Sequence, residues 1–204
     1  MKHFCLTSII LTLLSINGLA QIERLPNESA ENFAKRNMPP QSELVHKVIE
    51  TEAWGNKKNV IAFYQIEIKL KDNVSATQVD GYLFLQKSVN SYEKILIHSF
   101  GEEGDTPQIE AVFFANADKD KAQELIVICS WQQRHYDVNG TLYGTFIFDD
   151  LNHRTDSGSL KYLETISNKV SGGCDCNYRD GRKGNKKFNS AAKVKAGLRK
   201  LGFR

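Results

Sequence analysis

Beyond one run near its N-terminus, the 204-residue sequence has no segment long or apolar enough to cross a bilayer core of roughly 30 Å. A membrane-spanning helix in the mature chain is therefore not expected. There is no Gly-x-Ser-x-Gly elbow, no phosphate-binding glycine loop and no dinucleotide fingerprint. The histidines at positions 46, 98, 135 and 153 show neither His-x-His nor His-Glu-x-x-His spacing, so a zinc hydrolase has no visible ligand set. Acid pairs such as Glu102-Glu103 fall in polar loop sequence and do not mark a glycosidase. No segment recurs at a fixed period, which argues against a repeat architecture.

What is present begins with an address. Lys2 and His3 make a short basic start, Ile9 to Leu14 form an apolar run broken only by Thr12, and Gly18-Leu19-Ala20 supplies small residues before Gln21. This is the layout of a cleavable secretory signal over residues 1–20, with cleavage near Ala20-Gln21. The expected product is a single exported domain, residues 21–204, periplasmic or secreted. Cys5 leaves with the signal, and Cys129, Cys174 and Cys176 stay. In an oxidising compartment a disulfide is expected, and the odd count leaves one thiol over. Pairing of Cys129 with Cys174 or Cys176 would tie the tail to the central strand. A Cys174–Cys176 bond would close a small strained ring and is the less favoured choice. Residues 177–204 hold ten Lys or Arg and one acid, a net +9, which leaves −7 on residues 21–176. Such a tail can pair internally, be solvated, or meet an acidic partner, and the first two suit its apolar stripe better. Nucleic acid is not the expected partner of an exported chain.

Periodicity gives the architecture. Glu28 to Arg36 reads as a short helix capped by Asn27 or Ser29 and stopped at Met38-Pro39-Pro40. Strand-like alternation follows over residues 44–51, 59–70, 79–85, 92–100, 109–114, 125–131 and 141–148. In the second of these, Ala62, Tyr64, Ile66, Ile68 and Leu70 form the face expected to meet the core. Asn139-Gly140 is expected at a hairpin tip, because both residues accept positive φ. Leu160 to Ile166 reads as a short helix or another strand, the helix preferred, and Ser171 to Lys187 as irregular. A last helix carries Ala191, Val194, Leu198 and Leu201 on one face. Gly202 suits the left-handed position past its end, with Phe203 folding back on Leu198. The predicted class is α+β: a mainly antiparallel β meander sheet, its core over about residues 44–149, with a short N-terminal helix and a C-terminal helix packed on it.

The sharpest chemical signal lies between two strands. In Asn116-Ala117-Asp118-Lys119-Asp120-Lys121-Ala122-Gln123-Glu124-Leu125, oxygen-bearing side chains fall at alternate positions, and an apolar strand follows at once. Alternating oxygen ligands can converge on one hard cation. The same residues can also make a polar turn in which Asp118 or Asp120 bonds backbone amides. Over residues 112–130 and their flanks, the run resembles a single calcium loop of the FG-GAP or VCBS repeat type. That resemblance implies side-chain oxygens from Asn116, Asp118 and Asp120, the carbonyl of Ala122, and closure by Glu124, with calcium as the ion. It departs from the pattern at Asn116, which carries no charge, and at Lys119 and Lys121, which stand where glycines are usual. A second candidate surface is aromatic: Trp131, His135, Tyr136 and Tyr143 share the proposed hairpin, where they are either a binding face or core. With no assembled catalytic set, the leading expectation is an exported non-catalytic binding module of the cell envelope that recognises or inhibits another envelope or secreted protein. An envelope hydrolase with a dispersed site and a purely structural envelope protein are the alternatives.

Overall fold

A computed structural model describes residues 21–55, 57–71, 74–155 and 158–203. The signal sequence predicted over residues 1–20 lies outside them. Ten strands and three helices follow one another: β1 (Ile22–Glu23), α1 (Ala30–Arg36), β2 (Ser42–Leu44), β3 (Ile49–Thr51), β4 (Asn59–Lys69), β5 (Ser75–Gln86), β6 (Ser91–Phe100), β7 (Gln108–Ala115), β8 (Glu124–Arg134), β9 (Val138–Phe148), α2 (Glu164–Lys169), β10 (Gly173–Tyr178) and α3 (Ala191–Lys200). A 3-10 turn, Leu151–His153, follows β9. None of these helices is long and apolar enough to cross a membrane.

The strands form two antiparallel sheets rather than the one sheet expected. The first has the order β1-β6-β5-β4-β2, with β3 also paired to β4, and the second has the order β10-β9-β8-β7. Each centre is a three-strand meander, β4-β5-β6 and β7-β8-β9, because short polar turns let each strand pair with the next. Between the sheets, Ile61, Phe63, Val79, Leu83, Ile95, Ile97 and Phe100 meet Leu125, Val127, Trp131 and Phe148. Outside the first sheet, Phe33 and Ala34 of α1 cover Val60, Ala62, Tyr64, Phe84 and Tyr92. Outside the second, Val194 and Leu198 of α3, with Val170 just after α2, cover Ile126, Ile128 and Ile147. The result is helix, sheet, sheet, helix.

This layering corrects the single-faced reading of β4. From Asn59 to Tyr64 every residue is buried, because one face meets α1 and the other meets the second sheet. Leu70, placed by alternation on the core face, is 51% exposed beyond the end of the strand. The same logic explains β8, buried from Glu124 to Trp131. A strand covered on both faces reads as a continuous apolar run.

Local chemistry sets the ends. Ser29 caps α1 by accepting from the Asn32 amide at 3.2 Å. Beyond α3, Gly202 takes φ +97°, the Phe203 amide donates to Leu198 O at 3.1 Å, and the Gly202 amide donates to Arg199 O at 3.1 Å. Those two bonds are the Schellman pattern, and they fold Phe203 onto the layer containing Leu198.

Four further expectations are corrected. The β8–β9 hairpin turns at His135–Val138, where the His135 amide donates to Val138 O, so Asn139 and Gly140 lie within β9. Gly140 is needed for a different reason: a Cβ there would strike the Asp175 carbonyl on β10. Residues 171–187 are not wholly irregular, since β10 pairs with β9 from Gly173↔Tyr143 to Tyr178↔Val138. Within Leu160 to Ile166, Tyr162 bridges to Phe148 as a strand would, and α2 begins only at Glu164.

The fourth correction concerns the thiols. Cys174 and Cys176 lie at disulfide distance from one another, Cα atoms 5.2 Å apart, and Cys129 is free and buried. Cys129 points into the layer between the sheets, whereas β10 lies at the far edge of the second sheet from β7. Alternate strand residues share a face, which is what brings the two β10 sulfurs together. Burial, with the Glu110 carboxylate nearby, holds the Cys129 thiol well above its usual range. Native residues 21–204 should therefore show no thiol reactive to a maleimide. After denaturation without reductant they should show one, and a count of three would remove the disulfide.

Candidate metal centre

Residues 116–123 close the β7–β8 hairpin, whose last pair is Ala115↔Glu124. The loop is shaped by its own side chains. The Asp120 amide donates to Asp118 Oδ1 at 2.8 Å, the Ala122 amide donates to Asp120 Oδ1 at 2.7 Å, and Asn116 Nδ2 donates to the Asp120 carbonyl at 2.8 Å. These are the amide-bonding turns that Asp and Asn favour. Among described non-glycine residues only Asn27 and Gln41 have positive φ. Lys119 and Lys121 thus occupy the glycine positions of the calcium-loop pattern without left-handed strain, and both side chains are exposed.

Glu124 is the unusual member. It is wholly buried, and the Ala117 amide donates to its Oε2. Its Oε1 is buried with no hydrogen-bond partner, and so is Asn116 Oδ1. Burial is the main cause that pushes the Glu124 carboxyl up to about 7. The Ala117 amide opposes the shift, and the negative charges of Asp118 and Asp120 add to it. A buried carboxylate lacking one partner costs free energy unless something satisfies it.

The remaining members arrive from the end of β9. Leu125 pairs with Phe148, so one step further along both strands sets Asp149 beside Glu124. Asp149 and Asp150 are 3% and 2% exposed. Single carboxylate oxygens of Asp118, Glu124 and Asp149 lie within 4.8 Å of one another, and ligand atoms of Asp120, Asp149 and His153 do the same. His153 Nδ1 is 3.2 Å from Asp150 Oδ1 and 3.5 Å from Asp149 Oδ1, and Lys161 Nζ is 3.2 Å from Asp149 Oδ2. Five carboxylates thus gather near the Lys161 ammonium and the His153 imidazole.

Of the residues expected to bind a cation, the structure brings Asp118 and Glu124 together and sets Asp120 toward His153. Ala122 is engaged through its amide. Sequence reading missed Asp149, Asp150, His153 and Lys161. The available signal was the Asp149-Asp150 pair directly after an apolar strand, mirroring Glu124 directly before one.

The expected aromatic face does not assemble. Trp131 is 4% exposed in the layer between the sheets, and its Nε1 donates to Gly101 O at 2.9 Å. Tyr143 is half-buried on the opposite face of the second sheet. Only His135 and Tyr136 are exposed, at the turn at the other end of β8 from the acidic loop, with the Arg179 guanidinium 4.1 Å over the Tyr136 ring. Two residues at a turn and two in different core layers cannot form one surface.

No protein-family model, curated protein or solved structure matches the chain. The resemblance to a calcium loop therefore rests on residues 112–130 alone.

Proposed function

We propose that this chain is an exported, non-catalytic binding module of the cell envelope built around one calcium site in the β7–β8 loop. The observation that carries the reading is Glu124: a wholly buried carboxyl with one unpartnered oxygen, held among Asp118, Asp120 and Asp149. A hard divalent cation answers that arrangement, since calcium takes six to eight oxygen ligands and tolerates irregular geometry. Asn116, Asp118, Asp120 and Glu124 are the ligands supplied by the loop.

Calorimetric titration of calcium into chelator-treated residues 21–204 tests the site. Binding should give heat, and at a hundredfold excess over Kd it should stabilise the protein by about 2.7 kcal/mol. That corresponds to a Tm rise of roughly 5–10 °C at this chain length. A flat titration and an unchanged Tm at millimolar calcium would overturn the reading.

A further inference from the structure

Resting on that calcium reading, we propose that Asp149, from the end of β9, is the ligand that closes the site, and that Lys161 is the resident counter-ion the cation displaces. The register carries the first part. With Leu125 opposite Phe148, the adjoining residues Glu124 and Asp149 sit side by side, both under 4% exposed. Like charges facing each other on neighbouring strands repel, and burial strengthens the repulsion. Their carboxylate oxygens, with one from Asp118, fall within 4.8 Å, about twice a calcium–oxygen bond of roughly 2.4 Å. One ion can touch all three. The buried, unpartnered Oε1 of Glu124 is an independent pointer to a cation ligand at this site.

The second part follows from what Asp149 does in this structure. Its Oδ1 accepts the Asp150 amide at 2.9 Å and lies 3.5 Å from His153 Nδ1, while its Oδ2 takes Lys161 Nζ at 3.2 Å. The Lys161 side chain is 54% exposed, so water can solvate its ammonium once it is released. The Asp149 amide also donates to Lys161 O at 2.9 Å, which keeps the segment in place whichever cation the carboxylate holds. Glu124 has no basic side chain on it among the described ion pairs. The lysine therefore neutralises one of the two facing carboxylates and leaves the other unanswered.

Calcium affinity of four proteins separates the possibilities: the natural sequence, Asp149→Asn, Lys161→Met and the double variant. Asp149→Asn keeps size and shape, and should weaken binding by about 10- to 100-fold, the range in which loss of even an outer-shell partner acts. Lys161→Met, at an exposed position, should tighten binding by about two- to fivefold, the scale of one partly exposed ion pair. In the Asp149→Asn background, Lys161→Met should then change nothing, since the competition it relieves is gone. Failure of the natural sequence to bind calcium would overturn the calcium reading and this inference with it. Binding that Asp149→Asn leaves intact would overturn the closing ligand while the loop site stands. A Lys161→Met effect that persists without Asp149 would overturn the counter-ion.

Discussion

Unfolding free energy of the calcium-free protein should fall by about 3 kcal/mol more than that of its Glu124→Gln variant between pH 4.5 and pH 7. The sign follows from the proton count. Unfolded Glu124 titrates near 4.5, whereas the folded carboxyl holds its proton up to about 7. Between those values the folded state binds more protons, so raising pH favours the unfolded chain, and above 7 the difference levels off. A gap of about 2.5 pH units at 1.36 kcal/mol each gives the magnitude. Calcium should reverse the trend. The proposed site requires the deprotonated carboxylate, so binding should release a proton below pH 7 and affinity should rise with pH until Glu124 has titrated. Glu124→Gln should make the calcium-free protein more stable at pH 8 and abolish stabilisation by calcium. Urea unfolding at pH 5, 6, 7 and 8, with chelator or excess calcium, reads all three effects. Parallel curves for the two proteins in chelator would mean that Glu124 is satisfied by something already in the fold.

The legible parts of the sequence were those whose cause is local. Strand boundaries for β4, β6 and β7 followed from alternation and polar turns, and the α3 ending followed from Gly202 and Phe203. Errors came where distant segments decide. Alternation in β4 named one buried face, but the second sheet buries Ile61 and Phe63 as well. Asn139-Gly140 carries a turn signal, yet β10 pairs with both residues, and the turn lies at Tyr136 and Asp137. The thiols follow the same rule: sequence distance suggests a tether from β8, while β10 places Cys174 and Cys176 on one face. The acidic loop divides along this line too. Its internal spacing showed Asp118 and Glu124. Only the β8–β9 register, which needs the fold, reveals Asp149 between them and Lys161.

That dependence on register predicts a difference between two equally buried aromatics. Phe148 and Phe33 are both 0% exposed, and replacing either with alanine should cost about 3–5 kcal/mol from lost burial and the cavity left behind. Their layers differ. Phe33, on α1, packs against Phe84 and Tyr92 on the outer face of the first sheet. Phe148 packs between the sheets beside His98 and Tyr162, pairs with Leu125, and is covalently next to Asp149. Loss of its ring should let the end of β9 shift and carry the Asp149 carboxylate away from Glu124. Phe148→Ala should therefore weaken calcium binding by about tenfold or more, comparable to losing a group that positions a ligand, and Phe33→Ala should leave affinity unchanged. Urea unfolding gives the stability of each variant, and calorimetry at low temperature gives its affinity, with Phe148→Leu as the milder form should the alanine variant fail to fold. Equal affinities for Phe33→Ala and the Phe148 variants would mean that the loop holds its cation alone, with β9 acting only as its neighbour in the sheet.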